Sequence, residues 1–191
     1  MNVISKKDIY DNVDFYLSEI KCGKIFIYPT DTIYGIGCNA LNSKSVSLIR
    51  EIKKRDGKAF SVIAPSKNWI YENCRVLENH KNYVEKLPGK YTFIFELKFE
   101  NSIAKNEVIL DKKGLGVRIP DHWFSQIISK SSVPFVTSSA NISGENNIIE
   151  IKKEGILLDS KIDYIIDDGK WDGKASKVID LREEKEVVLR E

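Results

Sequence analysis

The sequence is poor in the side chains that usually carry metal-dependent or nucleophilic catalysis. Its 191 residues include two histidines and three cysteines. The cysteines, Cys22, Cys38 and Cys74, lie far apart, so no pair has the spacing of a zinc motif. An odd, scattered set without a secretory context predicts reduced thiols rather than disulfides. Neither His80 nor His122 lies in a glycine-rich or hydroxyl-rich segment, and both are interpreted as structural or surface residues.

The sequence also lacks a strong excess of charge and any long apolar run. It has 30 Lys and Arg against 28 Asp and Glu, and this net charge of +2 gives no bulk attraction to nucleic acid or to an anionic membrane. No apolar run approaches the roughly 20 residues that cross a bilayer, and the N-terminus has no hydrophobic signal core. We therefore expect a cytoplasmic protein without a membrane partner.

The common nucleotide-binding fingerprints are missing as well. The chain has neither a Gly-x-x-x-x-Gly-Lys-Ser/Thr loop nor a Gly-x-Gly-x-x-Gly after its first predicted strand. If a nucleotide binds, it is held by a different arrangement. No internal repeat or low-complexity linker divides the chain, so residues 1–191 are predicted to form a single domain.

Helix-like and strand-like segments alternate along the chain. Apolar residues recur at helical spacing between Ser5 and Gly23, and again after Ser43, which we expect to cap a second helix. Further helices are predicted over 79–87, 120–128 and 148–154. Strands are predicted over 25–28, 60–64, 91–97, 108–110, 116–119, 134–136, 164–166, 178–181 and 187–189. This mixture predicts an α/β fold, a single-domain, open twisted mixed sheet with flanking helices.

Two predicted strands run directly into clusters of hydroxyl and small residues. One cluster is the segment 29–37 (PTDTIYGIG), and the other is the segment 137–144 (TSSANISG). In open α/β sheets the carboxyl ends of strands face the crevice where ligands bind, so both clusters suit a small polar ligand. The alternative is that each is an ordinary loop whose hydroxyls satisfy its own backbone.

Cations near predicted element ends complete the candidate site. They are Lys53, Arg55, Lys58, Arg118 and Arg190. Arginine pairs bidentately with phosphate or carboxylate, and lysine acts as a mobile point charge. Each one taken alone is as consistent with a solvated surface residue, because cations are spread over the whole chain.

Taken together, the motifs resemble the YrdC-like threonylcarbamoyl-adenylate synthases in their short, single-domain form. The matching segments follow in order at 28–37, 52–55, 88–92, 116–120, 137–144, 167–169 and 176–181. The resemblance implies a YrdC-like fold and a nucleotidyltransferase that condenses L-threonine, bicarbonate or CO₂, and ATP into threonylcarbamoyl-AMP and pyrophosphate. Separate transferases then use the product to make threonylcarbamoyladenosine in certain tRNAs, so these transferases and tRNA are expected partners.

The resemblance also assigns site residues, although it leaves Asp31 without a role. The residues matched to threonine contacts are Thr32, Tyr34, Arg118 and Ser176. Those matched to ATP contacts, of which the first two are also the catalytic pair, are Lys53, Arg55, Lys58, Ser139, Asn141 and Arg190. ATP is expected as a substrate with magnesium on its phosphates, and no protein-bound structural metal is expected. The implied chemistry needs orientation and charge neutralisation rather than a protein nucleophile, which agrees with the scarcity of histidine.

Two other functions remain open at this stage. The cations around residues 53–58 are also consistent with an RNA-binding module of the same fold without synthase activity, although the near-neutral total charge argues against it. The third hypothesis is a relative that makes a carbamoyl adenylate from carbamoyl phosphate. In that branch the domain is part of a much longer protein with paired-cysteine zinc modules, and this sequence has neither feature.

Overall fold

The computed structural model describes residues 2–103, 105–110, 114–151, 156, 159–171 and 173–191. The strands in this part are β1 (Asn2–Ser5), β2 (Phe26–Tyr28), β3 (Gly35–Gly37), β4 (Ser61–Ile63), β5 (Cys74–Arg75), β6 (Tyr91–Leu97), β7 (Gly114–Arg118), β8 (Phe135–Ser139), β9 (Tyr164–Asp167), β10 (Lys177–Asp180) and β11 (Val187–Arg190). The α-helices are α1 (Lys6–Asp11), α2 (Val13–Cys22), α3 (Ser43–Lys53), α4 (Lys67–Asn73), α5 (Lys81–Glu85), α6 (Lys105–Val108) and α7 (Trp123–Ser131).

These strands form one mixed sheet, as the sequence predicted. Their order is β1-β9-β2-β3-β8-β4-β7-β6-β10-β11, with β5 paired to β6 beside this path. Four neighbouring pairs, β1–β9, β9–β2, β4–β7 and β6–β10, are parallel, and the others are antiparallel. Strand β8 joins the two halves, because Ser139 lies opposite Gly35 of β3 and Thr137 lies opposite Ser61 of β4. The two predicted hydroxyl clusters are therefore neighbours in the sheet.

Helix ends follow the local sequence signals. Helix α1 begins with a capping box, in which the Ser5 hydroxyl accepts from the Asp8 N–H and the Asp8 carboxylate accepts from the Ser5 N–H. Helix α2 ends at Gly23, which takes the left-handed conformation with φ of 87°. The predicted cap of α3 is wrong by one residue. Asn42 is the cap, because its side-chain oxygen accepts from the Ser45 N–H at 3.1 Å.

Strand alternation divides the core between the two faces of the sheet. Ile27 and Val62 pack in the cluster that contains the buried face of α3. Their strand neighbours Phe26 and Ile63 pack in a second cluster with buried residues of α1, α2 and α7. Because successive side chains of a strand point to opposite faces, helices cover both sides of the sheet. No helix in the part described is long and apolar enough to cross a membrane.

Short segments account for the wrong secondary-structure predictions. The strand predicted over 108–110 is wrong, because Val108 ends α6 and the next two residues form a turn, with Leu110 at φ of 58°. The helix predicted over 148–154 is wrong over 148–151, and its remainder lies outside the described residues. Five further elements were not predicted, namely β1, β3, α4, β5 and α6. Runs of two to seven residues are too short for their periodicity to distinguish a strand from a helix.

Gly37 is a site where the sheet has no room for a side chain. A Cβ atom there would lie 1.9 Å from the carbonyl oxygen of Val136 and 2.7 Å from the Phe135 ring. We therefore expect Gly37→Ala to destabilise the protein by about 3 kcal/mol, because the β3–β8 backbones must separate. Thermal denaturation should show a midpoint lower by roughly 6–12 °C. Gly89→Ala is the control, since its Cβ would approach the Lys86 carbonyl only to 3.1 Å. Equal midpoints for the two variants would contradict the prediction.

Candidate functional site

A cavity of about 240 Å³ opens where the β2–β3 loop meets strands β4, β6, β7, β8, β10 and β11. Its polar lining residues are Thr30, Thr32, Tyr34, Arg55, Ser61, Thr92, Arg118, Thr137, Ser138, Ser139, Asn147, Ser176 and Arg190. Three of these are arginines and most of the others carry hydroxyls. The described lining residues include no Asp or Glu, so this wall favours an anionic ligand.

The β2–β3 loop forms a turn that is held by hydrogen bonds of the Thr30 hydroxyl. Thr30 Oγ1 accepts from the backbone N–H groups of Thr32 and Ile33, at 3.1 and 3.2 Å, and donates to the Ile33 carbonyl at 2.7 Å. Since that bond uses the only Thr30 hydroxyl proton, Thr32 Oγ1 must be the donor in their 2.9 Å contact. The alternative of a self-satisfied turn is therefore correct for Thr30. Thr32 is fixed by that turn and is one of the residues that line the cavity.

Arg118 supplies a buried positive charge at the end of β7. Its Nη2 donates to Asp31 Oδ1 at 2.6 Å and to Thr32 Oγ1 at 3.4 Å. The side chains of Arg118 and Asp31 are only 8% and 5% exposed. Burial lowers the pKa of the Arg118 guanidinium, and the Asp31 carboxylate opposes that shift. Arg118 Nε is buried without a hydrogen-bond partner among the described residues, a costly arrangement that a ligand oxygen would relieve.

A hydroxyl pair from β6 and from the residue before β10 lies beside an arginine of β11. The Thr92 and Ser176 hydroxyls share a hydrogen bond of 2.8 Å. Arg190 donates from Nε to the Ser176 carbonyl at 2.8 Å and from Nη2 to Ser176 Oγ at 3.2 Å. The penultimate residue is thereby held at the cavity wall by Ser176.

Tyr34 connects the turn after β9 to the cavity wall by two hydrogen bonds. Its hydroxyl donates to the Gly169 carbonyl at 2.7 Å and accepts from the Asp168 N–H at 3.1 Å. Burial raises the pKa of this phenol to about 12, so it stays protonated as the donor. The hydroxyl is engaged by these two bonds, and Tyr34 contributes to the cavity mainly through its ring.

Arg55 is held at the cavity by the loop that follows α3. Its Nε donates to the Lys58 carbonyl at 3.3 Å and its Nη2 to the Ala59 carbonyl at 2.8 Å. Its guanidinium also lies 5.1 Å from the centre of the Phe60 ring. Arg50 closes the same loop by donating to the Arg55 and Lys58 carbonyls. The hydrogen bonds of Arg55 within the described residues go to neutral carbonyls, which leaves its charge available to an anion.

Lys53 lies behind the 139–145 loop rather than on the cavity wall. Its buried Nζ donates to the carbonyl of Ser139, to the carbonyl of Asn141 at 2.7 Å and to Asn141 Oδ1 at 3.2 Å. Burial, with a smaller effect of the Arg55 charge, lowers the pKa of this ammonium to about 7. The Ser143 N–H donates to the Lys53 carbonyl at 2.9 Å. The side chain and the backbone carbonyl of Lys53 therefore both hydrogen-bond to the 139–145 loop.

The structure brings most of the predicted site residues to one cavity. Those on its wall are Thr32, Tyr34, Arg55, Arg118, Ser139, Ser176 and Arg190. Lys53 and Asn141 lie behind the wall, and Lys58 is exposed and contributes its backbone carbonyl to the Arg55 loop. Two residues were not predicted as part of the site: Arg50, which lies in no matched motif, and Thr92, which lies in the matched segment 88–92 but was given no role. Asp31 was also given no role, although that residue adjoins Thr32.

The histidines have structural contacts, and the cysteines are reduced, as the sequence predicted. His80 contacts the carbonyls of Leu181 and Glu184, each at 3.2 Å. His122 caps α7 by accepting from the Phe124 N–H. All three cysteines are free thiols. In the described part of the chain, no group of three or more His, Cys, Asp and Glu side chains is arranged to hold a metal ion.

The family model for Sua5, YciO and YrdC, described as telomere recombination, matches residues 18–191. The chain belongs to the Sua5/YciO/YrdC family. A Methanocaldococcus jannaschii protein provisionally named threonylcarbamoyl-AMP synthase is 40% identical over 185 residues, covering 94% of this chain and 84% of that protein. The human threonylcarbamoyl-AMP synthase is 28% identical, and the match covers 86% of this chain and 61% of the human protein.

Solved structures of the family share the fold. P. abyssi Sua5 complexed with L-threonine is 26% identical and has a TM-score of 0.85, with 100% of this chain matched to 57% of that chain. E. coli YciO, at 22% identity and a TM-score of 0.80, shows the fold alone, over 99% of this chain and 93% of that chain. This family member therefore spans a little over half of the Sua5 chain and most of YciO.

Proposed function

We propose that this family member is an L-threonylcarbamoyladenylate synthase, a nucleotidyltransferase acting as a single domain in the cytoplasm. The name of the M. jannaschii relative and the threonine complex of Sua5 support the proposal. The observation that carries it is the combination in one cavity of two kinds of anion partner. Among the residues that the structure describes, the buried Arg118 Nε–H, next to Thr32, has no partner, and the Arg55 guanidinium is hydrogen-bonded only to carbonyls.

In the proposed reaction, the cavity residues orient two substrates and neutralise charge. Arg118 and Thr32 hold the carboxylate of L-threonine, while Arg55 and Arg190 face the phosphates of ATP. The threonine nitrogen attacks CO₂, or bicarbonate with loss of water, and releases a proton to give a carbamate. A carbamate oxygen then attacks the α-phosphorus, the bond from that phosphorus to the bridging oxygen breaks, and pyrophosphate leaves. The arginines stabilise the negative charge that develops on the phosphate oxygens.

Magnesium enters this scheme with ATP. Phosphate oxygens and water are its ordinary ligands in nucleotide complexes. The described cavity wall offers hydroxyls and carbonyls but no carboxylate, so its donor set fits a magnesium ion carried by the substrate rather than one held by the protein. We further propose that the product passes to separate transferases that modify tRNA.

The test is release of pyrophosphate by the purified chain with ATP, bicarbonate and magnesium, with and without L-threonine. We expect threonine-dependent release, with threonylcarbamoyl-AMP identified by mass spectrometry. Replacing threonine with carbamoyl phosphate should give no release, which separates the synthase from the carbamoyl-phosphate branch. Pyrophosphate release that does not depend on threonine would overturn the proposal.

The RNA-binding alternative rests on the four cations around residues 53–58. Lys53 is buried and Arg55 is partly buried against its own loop, whereas Lys54 and Lys58 are exposed. Two of these four side chains are therefore left to form an exposed basic surface, which is a small one for an RNA partner. RNA binding that falls steeply with salt and ignores ATP would nevertheless favour that module over the synthase.

A further inference from the structure

Asp31 is the one charged residue of the 29–37 segment, and the proposed reaction leaves it unused. Its two carboxylate oxygens are both occupied by donors from the protein. Oδ1 accepts from Arg118 Nη2 at 2.6 Å, and Oδ2 accepts from the Asp121 N–H at 3.0 Å. Asp31 does not line the cavity. Contact with a substrate is therefore not its role, and whatever it does must act through Arg118.

The contacts of Asp31 fix the direction in which Arg118 points. A guanidinium is planar, so holding Nη2 against Asp31 and Thr32 constrains the whole plane, including the Nε–H. Asp31 is itself held at both ends of its carboxylate, by the β7 residue Arg118 and by the backbone just before α7. The 29–37 segment, strand β7 and the backbone before α7 together hold the Arg118 guanidinium in one orientation. Its buried Nε–H has no partner among the described residues.

We propose that Asp31 is a positioning residue that aims the unpaired edge of Arg118 at the carboxylate of the amino-acid substrate. The inference rests on the proposed function in taking L-threonine as that substrate. If Asp31 acted on Arg118 through its charge alone, the expected change in threonine affinity would have the opposite sign. Removing a neighbouring negative charge should strengthen the attraction of Arg118 for any carboxylate, whereas loss of orientation should weaken it. The sign of the change in threonine affinity therefore decides between the two.

The experiment measures binding of L-threonine and L-threoninamide by calorimetry. We expect Asp31→Asn to raise the Kd for L-threonine about tenfold, because the amide cannot accept from both Arg118 and the Asp121 N–H. The preference for L-threonine over its amide should shrink in parallel, since only the acid offers a carboxylate to Arg118. Asp31→Glu keeps the charge but displaces it by one methylene, and it should also weaken threonine binding.

Asp163→Asn is the matched control. Asp163 likewise accepts from one cation and one backbone amide, Lys24 Nζ at 3.0 Å and the Ile25 N–H at 2.9 Å, but it lies at the other end of β2 and off the cavity wall. It should leave threonine binding unchanged. Tighter or unchanged binding in Asp31→Asn, equal weakening in Asp163→Asn, or no binding of threonine to the wild type would each overturn the inference.

The pyrophosphate assay separates this result from the proposed function. Wild-type protein that binds L-threonine but releases no pyrophosphate would overturn the synthase and leave the positioning role of Asp31 standing. Wild-type protein that releases pyrophosphate with threonine, while Asp31→Asn and wild type bind threonine equally, would support the synthase and overturn the role of Asp31.

Discussion

Arg55→Ala should lower kcat/KM for ATP by about 10²–10³-fold and leave the fold intact, because the substitution removes a phosphate partner from the cavity wall. The Arg55 guanidinium is preorganised by two loop carbonyls and the Phe60 ring, so it loses little freedom when it meets a phosphate. The measurement is the initial rate of pyrophosphate release against ATP concentration, at saturating threonine and bicarbonate.

Arg75→Ala is the control for that experiment. Arg75 is an exposed residue of β5 whose partner is Glu96 at 3.3 Å, and it lies off the cavity wall. Its removal should change kcat/KM less than about twofold, since exposed pairs contribute little. If Arg55→Ala behaves like this control, the phosphates bind elsewhere and the proposed geometry is wrong.

Lys53→Met should reduce turnover about 100-fold because it disturbs the 139–145 loop. In this account Lys53 makes no direct contact with ATP. The substitution leaves the Ser139 carbonyl and two oxygens of Asn141 without their buried donor, at a cost of about 2 kcal/mol in folding free energy. The loop then no longer holds Ser139 at the cavity wall. The measurements are kcat, KM for ATP and the thermal midpoint of the variant.

A double-mutant cycle with Asn141→Ala distinguishes the two roles of Lys53. If Lys53 acts through Asn141, the double variant should lose little more activity than either single variant. Multiplied losses would mean that the two side chains act independently, as direct contacts of Lys53 with ATP would. Lys54→Met is a suitable control, because Lys54 is exposed at the end of the same helix.

Much of the fold could be predicted from the sequence where a segment carries its own signal. Strand β6 has the predicted bounds of 91–97, because its first five residues are all aromatic or β-branched and show no helical period. Segments without such a signal could not be predicted. The three residues 108–110 suit a strand or a helix end. Their conformation depends on tertiary contacts, among them the hydrogen bond from the Phe60 N–H to the Val108 carbonyl at 2.7 Å.

The candidate site also has a part that the sequence predicted and a part that it did not. The motifs named Thr32, Arg55, Arg118 and Ser139, and the structure places all four on one cavity wall, although their roles toward ligands remain predictions. The motifs did not show that Lys53 would turn behind that wall. A lysine at the end of a helix can reach either solvent or a neighbouring loop, and only the position of the Asn141 oxygens decides between them.

The class of fold, the two hydroxyl clusters and the cations that accompany them could all be predicted from the sequence, because alternation, capping and residue chemistry are local properties. Whether the clusters meet depends on the tertiary structure, since β8 pairs Ser139 with Gly35 of β3, 104 positions away, and Thr137 with Ser61 of β4, 76 positions away. The partner of Asp31 likewise depends on the fold. In the sequence that residue is one carboxylate in a polar loop, and in the fold it is the partner of a buried arginine 87 positions away. Burial increases the Coulombic attraction within that pair and makes the loss of either partner costly, and burial is a property of the assembled sheet rather than of any segment.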